Sequence, residues 1–388
     1  MRRFLIVLLL VFPASAHARA GDIDRGFARR TFAVWGAGGS TTGLAMLDGL
    51  RPFLSVTAWR GVDPGPATLQ LTGSGRLVST NAITPPIDAP LLADGYALTR
   101  TKPLGPSPVQ YRLQRLGEPT AHTLTIPGTE ALRFGVDAKG RAVLAGNYVN
   151  GRHYDTFVAR YLPDGTPDTG YGGDGRVELD GHDGLSNLLV RRNGRVAVLS
   201  QERWLTVLDG AGRPLKGFKR VPPARRRDDF AYGLAEGPGG TLLVSGAGQY
   251  GWVARLRKDG RLDRRFGQHG FTRRPHDFGS VGFGDMALDR RGRIVLGGSQ
   301  LGGAGDVVLS VLVRLTPAGK FDHSFAHNGI KRFRLASLRG QGTSGSTIGD
   351  VEIDRRGRIV VAGEAFDTDF ELREDVGHPY PAIARLKG

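Results

Sequence analysis

An arginine and an aspartate recur along the chain, and in three copies the aspartate follows eight residues after the arginine. Such residues could form a ring of ligand sites, or they could pair with each other as charge-assisted hydrogen bonds inside a scaffold. Recurrence at equivalent places in several units is what a scaffold requires, so we predict structural pairs. The predicted pairs are Arg160 with Asp168, Arg255 with Asp263, Arg314 with Asp322, and Arg385 with Asp24.

A second recurring set consists of arginines beside a glycine that marks a short turn. Gathered on one surface, they could bind a polyanion. The alternative is that exposed turns tolerate arginine and that neighbouring aspartates, such as Asp289 and Asp354, cap the turns and cancel part of the charge. The candidate polyanion-binding residues are Arg191, Arg192, Arg290, Arg291, Arg293, Arg355, Arg356 and Arg358.

Other patterns that could carry chemistry are weak. His323 and His327 have the spacing of a helical metal site, but the surrounding repeat predicts a strand and a turn. The chain has no cysteine, no Gly-x-Ser-x-Gly motif and no phosphate-binding glycine loop. We therefore predict no metal and no cofactor, and the sequence does not identify catalytic residues.

These residues belong to a repeated unit of two successive hairpins. In residues 283–330, β-rich runs flank one tight glycine turn, a loop follows, and two further runs flank a second glycine turn. The first turn of each unit is marked by a glycine. The seven markers are Gly49, Gly95, Gly140, Gly194, Gly240, Gly292 and Gly357.

The repeat predicts an all-β fold. Units of this length with four strands are typical of the blades of a β-propeller, in which radial repetition leaves only short sheet edges. A parallel β-helix is the alternative, but it needs shorter turns of chain and lacks paired hairpins. We predict a single propeller of seven four-stranded blades over residues 21–388.

The two ends of the chain are predicted to form one blade together. The seventh unit stops before its fourth strand, and residues 21–27 match residues 260–266, which begin that strand elsewhere. A linear solenoid would cap its ends instead of sharing one unit between them. The N-terminal segment is therefore predicted to close the ring as the outer strand of the last blade.

The phrase Asp-Gly-x-Leu-Asp-x-x-Phe-Gly-x-x-Gly at residues 259–270, with relatives at 164–175 and 318–329, resembles the delta-60 repeat of bacterial secreted and surface β-propellers. The match is specific over residues 132–388 and weak before residue 120. The resemblance implies a propeller fold and an extracytoplasmic setting. It brings no catalytic residues with it.

Residues 1–20 have the layout of a secretory signal: two arginines, an apolar run, and an end rich in small residues. Cleavage is predicted after Ala16 or Ala20, giving a periplasmic or secreted protein without a membrane span. The formal net charge of +16 favours an anionic neighbour, although a solvated basic surface is the commoner explanation of such a charge.

The sequence favours a non-enzymatic binding or scaffold protein. Its expected partner is a protein or an anionic envelope polymer such as lipopolysaccharide or an acidic glycan, in preference to nucleic acid, and we expect a monomer. The alternative is a hydrolase or lyase whose active site lies on the face of the longer loops, where such folds commonly build pockets.

Overall fold

Over the residues it describes, the computed structural model contains antiparallel sheets and one short 3₁₀ turn, Pro238–Gly240. Among the residues it describes, no helix has the length and apolar character needed to cross a membrane. The described residues are 20–24, 26–27, 30–31, 39–47, 49–60, 63–82, 91–101, 108–126, 130–150, 153–179, 184–200, 202–219, 221, 230–247, 251–272, 281–301, 308–335, 344–367 and 380–388. The predicted signal segment, apart from Ala20, lies outside them.

In the described part of the chain, twenty-six strands are grouped into seven sheets, which we number as blades in chain order. The strands are β1 (Arg30–Thr31); β2 (Gly39–Leu47), β3 (Arg51–Arg60), β4 (Asp63–Leu71) and β5 (Leu77–Ala82) of blade 1; β6 (Leu91–Ala93), β7 (Tyr96–Arg100), β8 (Val109–Arg115) and β9 (Ala121–Ile126) of blade 2; β10 (Glu130–Val136), β11 (Ala142–Asn150), β12 (His153–Tyr161) and β13 (Arg176–Leu179) of blade 3; β14 (Leu185–Val190), β15 (Val196–Ser200) and β16 (Leu205–Leu208) of blade 4; β17 (Phe230–Glu236), β18 (Leu242–Ala247) and β19 (Trp252–Leu256) of blade 5; β20 (Val281–Leu288), β21 (Ile294–Leu301), β22 (Val308–Leu315) and β23 (Ile330–Phe333) of blade 6; and β24 (Ser344–Ile353), β25 (Ile359–Asp367) and β26 (Tyr380–Leu386) of blade 7.

The blades form a closed ring around their first strands. Contacts link β2 to β6, β6 to β10, and so on through β14, β17, β20 and β24, and β24 contacts β2 again. The predicted seven-bladed β-propeller is therefore confirmed.

Blades 4 and 5 have three assigned strands each, but the fourth position is occupied in both. In blade 5, Phe271 pairs with Ala254, and Thr272 N donates to Val253 O at 2.9 Å. In blade 4, Leu205 N donates to Lys219 O at 3.3 Å. These residues cover part of the outer edge of β19 and of β16.

The marker glycines explain the tight turns between the first two strands of each blade. All seven have a left-handed backbone, with φ between +65° and +80°, which costs little only for a residue without a Cβ. In blade 2 the turn is Asp94-Gly95, with both φ values positive, which is the hairpin geometry that matches the twist of the strands.

The N-terminal segment closes the ring, as the sequence predicted. Strand β1 pairs antiparallel with β26, and Ile23 pairs with Leu386. Gly21 N donates to Lys387 O, and Lys387 N donates to Asp22 O. Phe27 is fully buried in the apolar cluster between blades 7 and 1. The first and last strands of the chain therefore share blade 7.

The core is divided among the blade interfaces. Each apolar cluster of the described residues draws on two neighbouring blades, and there is one cluster for each of the seven interfaces. The cluster between blades 1 and 2 is the smallest and is built around Ala45, Leu47 and Leu116. No blade buries both of its faces alone, so stability depends on closure of the ring.

We predict that deleting residues 22–34 lowers the melting temperature of the whole protein. The deletion removes Phe27 from the core and leaves the outer edge of β26 unpaired. Thermal unfolding followed by circular dichroism measures the effect. An unchanged melting temperature would contradict the role of the N-terminal strand in closure.

Candidate binding site at the channel mouth

The structure brings together each of the four Arg–Asp pairs. In every pair the arginine lies on the third strand of a blade. In blades 3, 5 and 6 the aspartate lies just after the turn that leads to the fourth position, and in blade 7 it belongs to the N-terminal segment beside β26. The Nε to Oδ2 distances are 2.8 Å for Arg160–Asp168, Arg255–Asp263 and Arg314–Asp322, and 2.9 Å for Arg385–Asp24.

Each guanidinium also stacks on an aromatic ring. The distance from Cζ to the ring centroid is 4.3 Å for Arg160 on Tyr171, 4.8 Å for Arg255 on Phe266, 4.6 Å for Arg314 on Phe325, and 4.4 Å for Arg385 on Phe27. We call this arrangement of arginine, aspartate and aromatic ring the latch. Its buried charges and cation–π contacts hold the third and fourth strands together.

Three of the latches also reach the next blade. Arg160 Nη1 donates to Gly210 O at 2.8 Å and Arg255 Nη1 donates to Pro317 O at 2.7 Å. Arg385 Nη1 donates to Gly73 O, which joins blade 7 to blade 1. The latch arginines therefore hold neighbouring blades together, and their charge is used inside the scaffold.

Two of the arginines proposed for polyanion binding are tied to their own turns. In the turn of blade 6, Asp289 Oδ1 accepts from the backbone N–H groups of Arg291 and Arg293, and Oδ2 accepts from Arg293 Nε. Asp354 binds Arg358 in the same way in blade 7. Arg293 and Arg358 therefore stabilise the turns.

A third candidate, Arg191, links two blades. Its side chain is buried and donates to Glu236 Oε1 at 2.8 Å and to Gly240 O at 2.9 Å, both in blade 5. Its neighbour Arg192 is exposed. Two adjacent arginines in the sequence thus have different roles.

The remaining five candidates are exposed and make no ion pair with any residue that the structure describes. They lie on the first turns of blades 4, 6 and 7. The five are Arg192, Arg290, Arg291, Arg355 and Arg356. We call them the rim arginines.

A cavity of about 980 Å³ lies beside three of the rim arginines. Arg192, Arg290 and Arg291 line it, together with the carboxylates of Asp285 and Glu352. A second cavity of about 760 Å³ is lined by Arg355, Arg51 and Arg115, and both cavities include Asp94 and Glu352. The first turns therefore surround a continuous concave mouth at the end of the central channel.

The channel wall beneath this mouth is shaped by β-bulges. In six innermost strands among the described residues, pairing with the second strand skips one residue, which re-aims the side chain that follows. The residues after the bulge are Gly43, Arg133, Asn187, Gly233, Asp285 and Asp350.

Two channel carboxylates bridge neighbouring blades. Asp94 Oδ2 accepts from Val136 N at 3.0 Å, which joins blade 2 to blade 3. Asp285 Oδ2 accepts from Val351 N at 2.9 Å, which joins blade 6 to blade 7. Both groups are therefore part of the scaffold as well as of the cavity wall.

The channel raises the pKa of its carboxyl groups. Loss of hydration raises the pKa of Asp94 and of Asp285. Loss of hydration and the charge of Asp285 raise the pKa of Asp350 to about 7, although Arg133 opposes the shift. Loss of hydration and the carboxylates of Asp285, Asp350 and Asp94 raise the pKa of Glu352 to about 8.

The consequence is a mouth whose rim is permanently positive and whose wall is partly neutral. At pH 7 a carboxyl group with a pKa of about 8 is mostly protonated, so Glu352 cancels little of the rim's charge. A basic rim over a wall of this kind attracts anions to the surface of the mouth.

Metal chemistry has little support in the described part of the chain. No group of three or more His, Cys, Asp or Glu residues there is placed to hold a metal ion. His323 and His327 are exposed in the turn region before β23, and His323 Nδ1 lies 3.2 Å from Asn328 Oδ1. The longer loops, which the sequence offered as an alternative active site, lie mostly outside the described residues. The acidic stretch 368–379 is among the residues not described.

Sequence analysis did not single out the channel carboxylates. A signal was present, since Asp285 and Asp350 each lie seven residues before the marker glycine of their unit, at equivalent positions of the first strand. Their proximity follows only from ring closure, which brings blades 2, 6 and 7 to one channel.

Comparisons with known proteins agree with the fold. The family described as "Domain of unknown function (DUF5122) beta-propeller" matches residues 140–171 and 292–325. These two stretches run from a first-turn glycine to the latch aromatic of blades 3 and 6. The chain is similar to a β-propeller family in both. No curated protein matches the chain.

The chain is also similar to solved structures. A protein from Lactobacillus plantarum is 16% identical in sequence and superposes with a TM-score of 0.51. The match covers 87% of this chain and 99% of the Lactobacillus protein. A protein of unknown function from Dyadobacter fermentans is 13% identical in sequence, with a TM-score of 0.46. That match covers 94% of this chain and 100% of the Dyadobacter protein. At these identities the likeness to the Lactobacillus protein shows the fold alone.

We predict that Glu352→Gln raises the melting temperature more at about pH 8.5 than at about pH 5. The pKa of Glu352 is 4.5 in the unfolded chain and about 8 in the folded protein. Between these two pH values the carboxyl is ionised when the chain is unfolded but protonated when it is folded. Stability from this group therefore falls as the pH rises through that window, and glutamine removes the effect.

Differential scanning fluorimetry at the two pH values measures the difference. Glu178→Gln, on the half-exposed outer strand of blade 3, is the control. An effect of Glu352→Gln that is equal at both pH values would contradict the raised pKa.

Proposed function

We propose that this β-propeller is a non-enzymatic binding protein whose rim arginines hold an anionic polymer of the cell envelope. The observation that carries the proposal is the arrangement of the rim arginines, which are exposed and have no ion-pair partner among the described residues. Four of the five line the mouth, and Arg356 follows Arg355 on the same turn. Electrostatic attraction at such a surface is long-ranged at low salt and is screened within about 8 Å at physiological salt.

The spacing of the arginines favours a polymer over a small ligand. The rim arginines lie on turns of three blades and extend along the mouth. Arg51 on blade 1 and Arg115 on blade 2 also line the mouth, and Arg115 is paired with Glu118 at 2.8 Å. A small anion would be recognised by donors that converge on one point. A chain of repeated phosphate, carboxylate or sulfate groups can contact several turns at once.

The buried arginines strengthen this interpretation. The latch arginines, Arg191, Arg293 and Arg358 are each compensated by an acidic partner within the scaffold. The scaffold thus neutralises the arginines it uses, whereas the rim arginines stay exposed and have no acidic partner among the described residues. This separation supports a role for the rim beyond solubility.

We further propose that the protein is a bacterial, exported member of the delta-60 repeat proteins and that it acts as a monomer in the periplasm or outside the cell. The repeat phrase and the N-terminal leader pattern support this setting. Lipopolysaccharide, with its phosphate groups, and acidic glycans are the polymers of that setting which carry repeated negative charge. An acidic protein is the other partner that the rim would accept.

The test compares two variants of equal net charge. In the rim variant, Arg290, Arg291, Arg355 and Arg356 are changed to serine. In the control variant, four exposed basic residues outside the first turns, Arg76, Arg112, Lys216 and Lys219, are changed to serine. Circular dichroism first establishes that both variants fold.

We expect the rim variant to elute from immobilised lipopolysaccharide and from heparin at a lower salt concentration than the wild type, whereas the control variant elutes close to the wild type. Retention on lipopolysaccharide alone would identify the lipid-linked polymer, and equal retention on both would indicate a general polyanion surface. An equal loss in both variants would show that only net charge matters and would overturn the proposal.

A further inference from the structure

Glu352 lies where the two cavities of the mouth meet. It lines both of them, and among the described residues Asp94 is the only other one that they share. The larger cavity holds Arg290 and Arg291 of blade 6, and the smaller one holds Arg355 of blade 7. An anion that contacts the rim arginines of both blades would therefore pass over the carboxyl group of Glu352.

The strand that carries Glu352 directs this side chain into the channel. Successive residues of a strand point to opposite faces of the sheet. In β24, Val351 is buried in the apolar cluster between blades 6 and 7. Asp350 and Glu352 lie on the opposite face and are half-buried. Their carboxyl groups thus belong to the channel wall beneath the rim.

Like charge dominates the surroundings of Glu352. Its carboxyl group interacts with those of Asp285 in blade 6, Asp350 on its own strand and Asp94 in blade 2. The opposing positive charge comes from Arg133 in blade 3, and it acts on Asp350. Four carboxyl groups thus share one poorly hydrated wall. Both their mutual repulsion and the loss of water favour the protonated form.

The remaining acidic groups that line the mouth are paired with arginines. The pairs are Glu236 with Arg191, Asp289 with Arg293, and Glu118 with Arg115. Of the strands packed against β24, β2 and β21 carry no titratable residue. The others carry Arg314, which is bound to Asp322, and Glu364 and Asp367, which lie opposite Thr347 and Ser344 towards the other end of the blade.

We propose that anion binding at this mouth is linked to a proton on Glu352, so that the mouth binds a polyanion while Glu352 is protonated and releases it more readily once Glu352 is ionised. The inference rests on the proposed function of the rim arginines. A protonated carboxyl has an O–H group that can donate to a sulfate or phosphate oxygen. A carboxylate has only acceptors, and its charge repels the same oxygen.

The sign of the pH dependence follows from the titration of this group. With a pKa of about 8, Glu352 is protonated at about pH 6 and ionised at about pH 9, whereas the rim arginines keep their charge throughout. Affinity for a polyanion should therefore fall as the pH rises through about 8. Since linkage is reciprocal, a bound anion should raise the pKa of Glu352, and the protein should take up protons when it binds near that pH.

The first experiment measures the Kd of the full-length protein for a heparin oligosaccharide at about pH 6 and about pH 9, at one low salt concentration. The sulfate and carboxylate groups of this probe stay ionised over that range, so the probe itself does not titrate. We expect the Kd to be about fivefold or more higher at the upper pH, which is the lower end of typical coupling between two sites. Circular dichroism at both pH values establishes that the protein is folded.

Two variants of equal charge show whether Glu352 is responsible. Glu352→Gln should bind at the upper pH almost as tightly as at the lower one. Glu178→Gln, which removes a half-exposed carboxylate on the outer strand of blade 3, is the control and should keep the full pH dependence of the wild type. An equal change of Kd with pH in the wild type and in Glu352→Gln would overturn the inference and leave the proposed function intact.

The second experiment counts the protons that are bound together with the probe. Calorimetric titration at about pH 8, in two buffers of different ionisation enthalpy, gives this number. We expect proton uptake by the wild type and by Glu178→Gln, and a smaller uptake by Glu352→Gln. Undiminished uptake in Glu352→Gln would also overturn the inference. Absence of heparin binding by the wild type at both pH values would overturn the proposed function, and the inference with it.

Discussion

The packing of the blades depends on how the buried arginine side chains of the latches are neutralised. An arginine side chain has five N–H donors and no acceptor, and it cannot lose its charge inside a protein. Each latch meets this demand with an aspartate, an aromatic face and, in three cases, a carbonyl of the next blade. Because the partners come from two blades, satisfying the charge also fixes the blades against each other.

The same constraint divides the positive charge of the chain into two groups. Arginines that touch an acidic partner belong to the scaffold, including Arg191 and Arg293, which sequence analysis placed on the binding surface. For Asp322, burial alone would raise the pKa, but hydrogen bonds from Ser324 and the charge of Arg314 outweigh burial and hold that pKa below its ordinary value. The rim arginines have no acidic partner among the described residues and most of them line one mouth, which is why the proposed function is assigned there.

The sequence predicted the features that are local and the features that repeat. Marker glycines revealed the blades because a left-handed turn needs glycine, and the Arg160–Asp168 spacing revealed the pairs because one hairpin brings both residues to adjacent strands. Arg191 could not be separated from Arg192, since its partner Glu236 lies in another blade. The raised pKa of Glu352 also depends on carboxylates from three blades that meet only in the closed ring.

The central claim is that the latch stabilises the ring, and its most direct test is a double-mutant cycle on Arg385 and Asp24, which join the two ends of the chain. Arg385→Met, Asp24→Asn and the double variant are unfolded in denaturant, and the coupling free energy is obtained from the four stabilities. The account predicts a favourable coupling of about 1 to 3 kcal/mol, as measured for contacting residues in one network. Additive effects within about 0.5 kcal/mol would show that the pair contributes no more than its separate side chains, and would contradict the account.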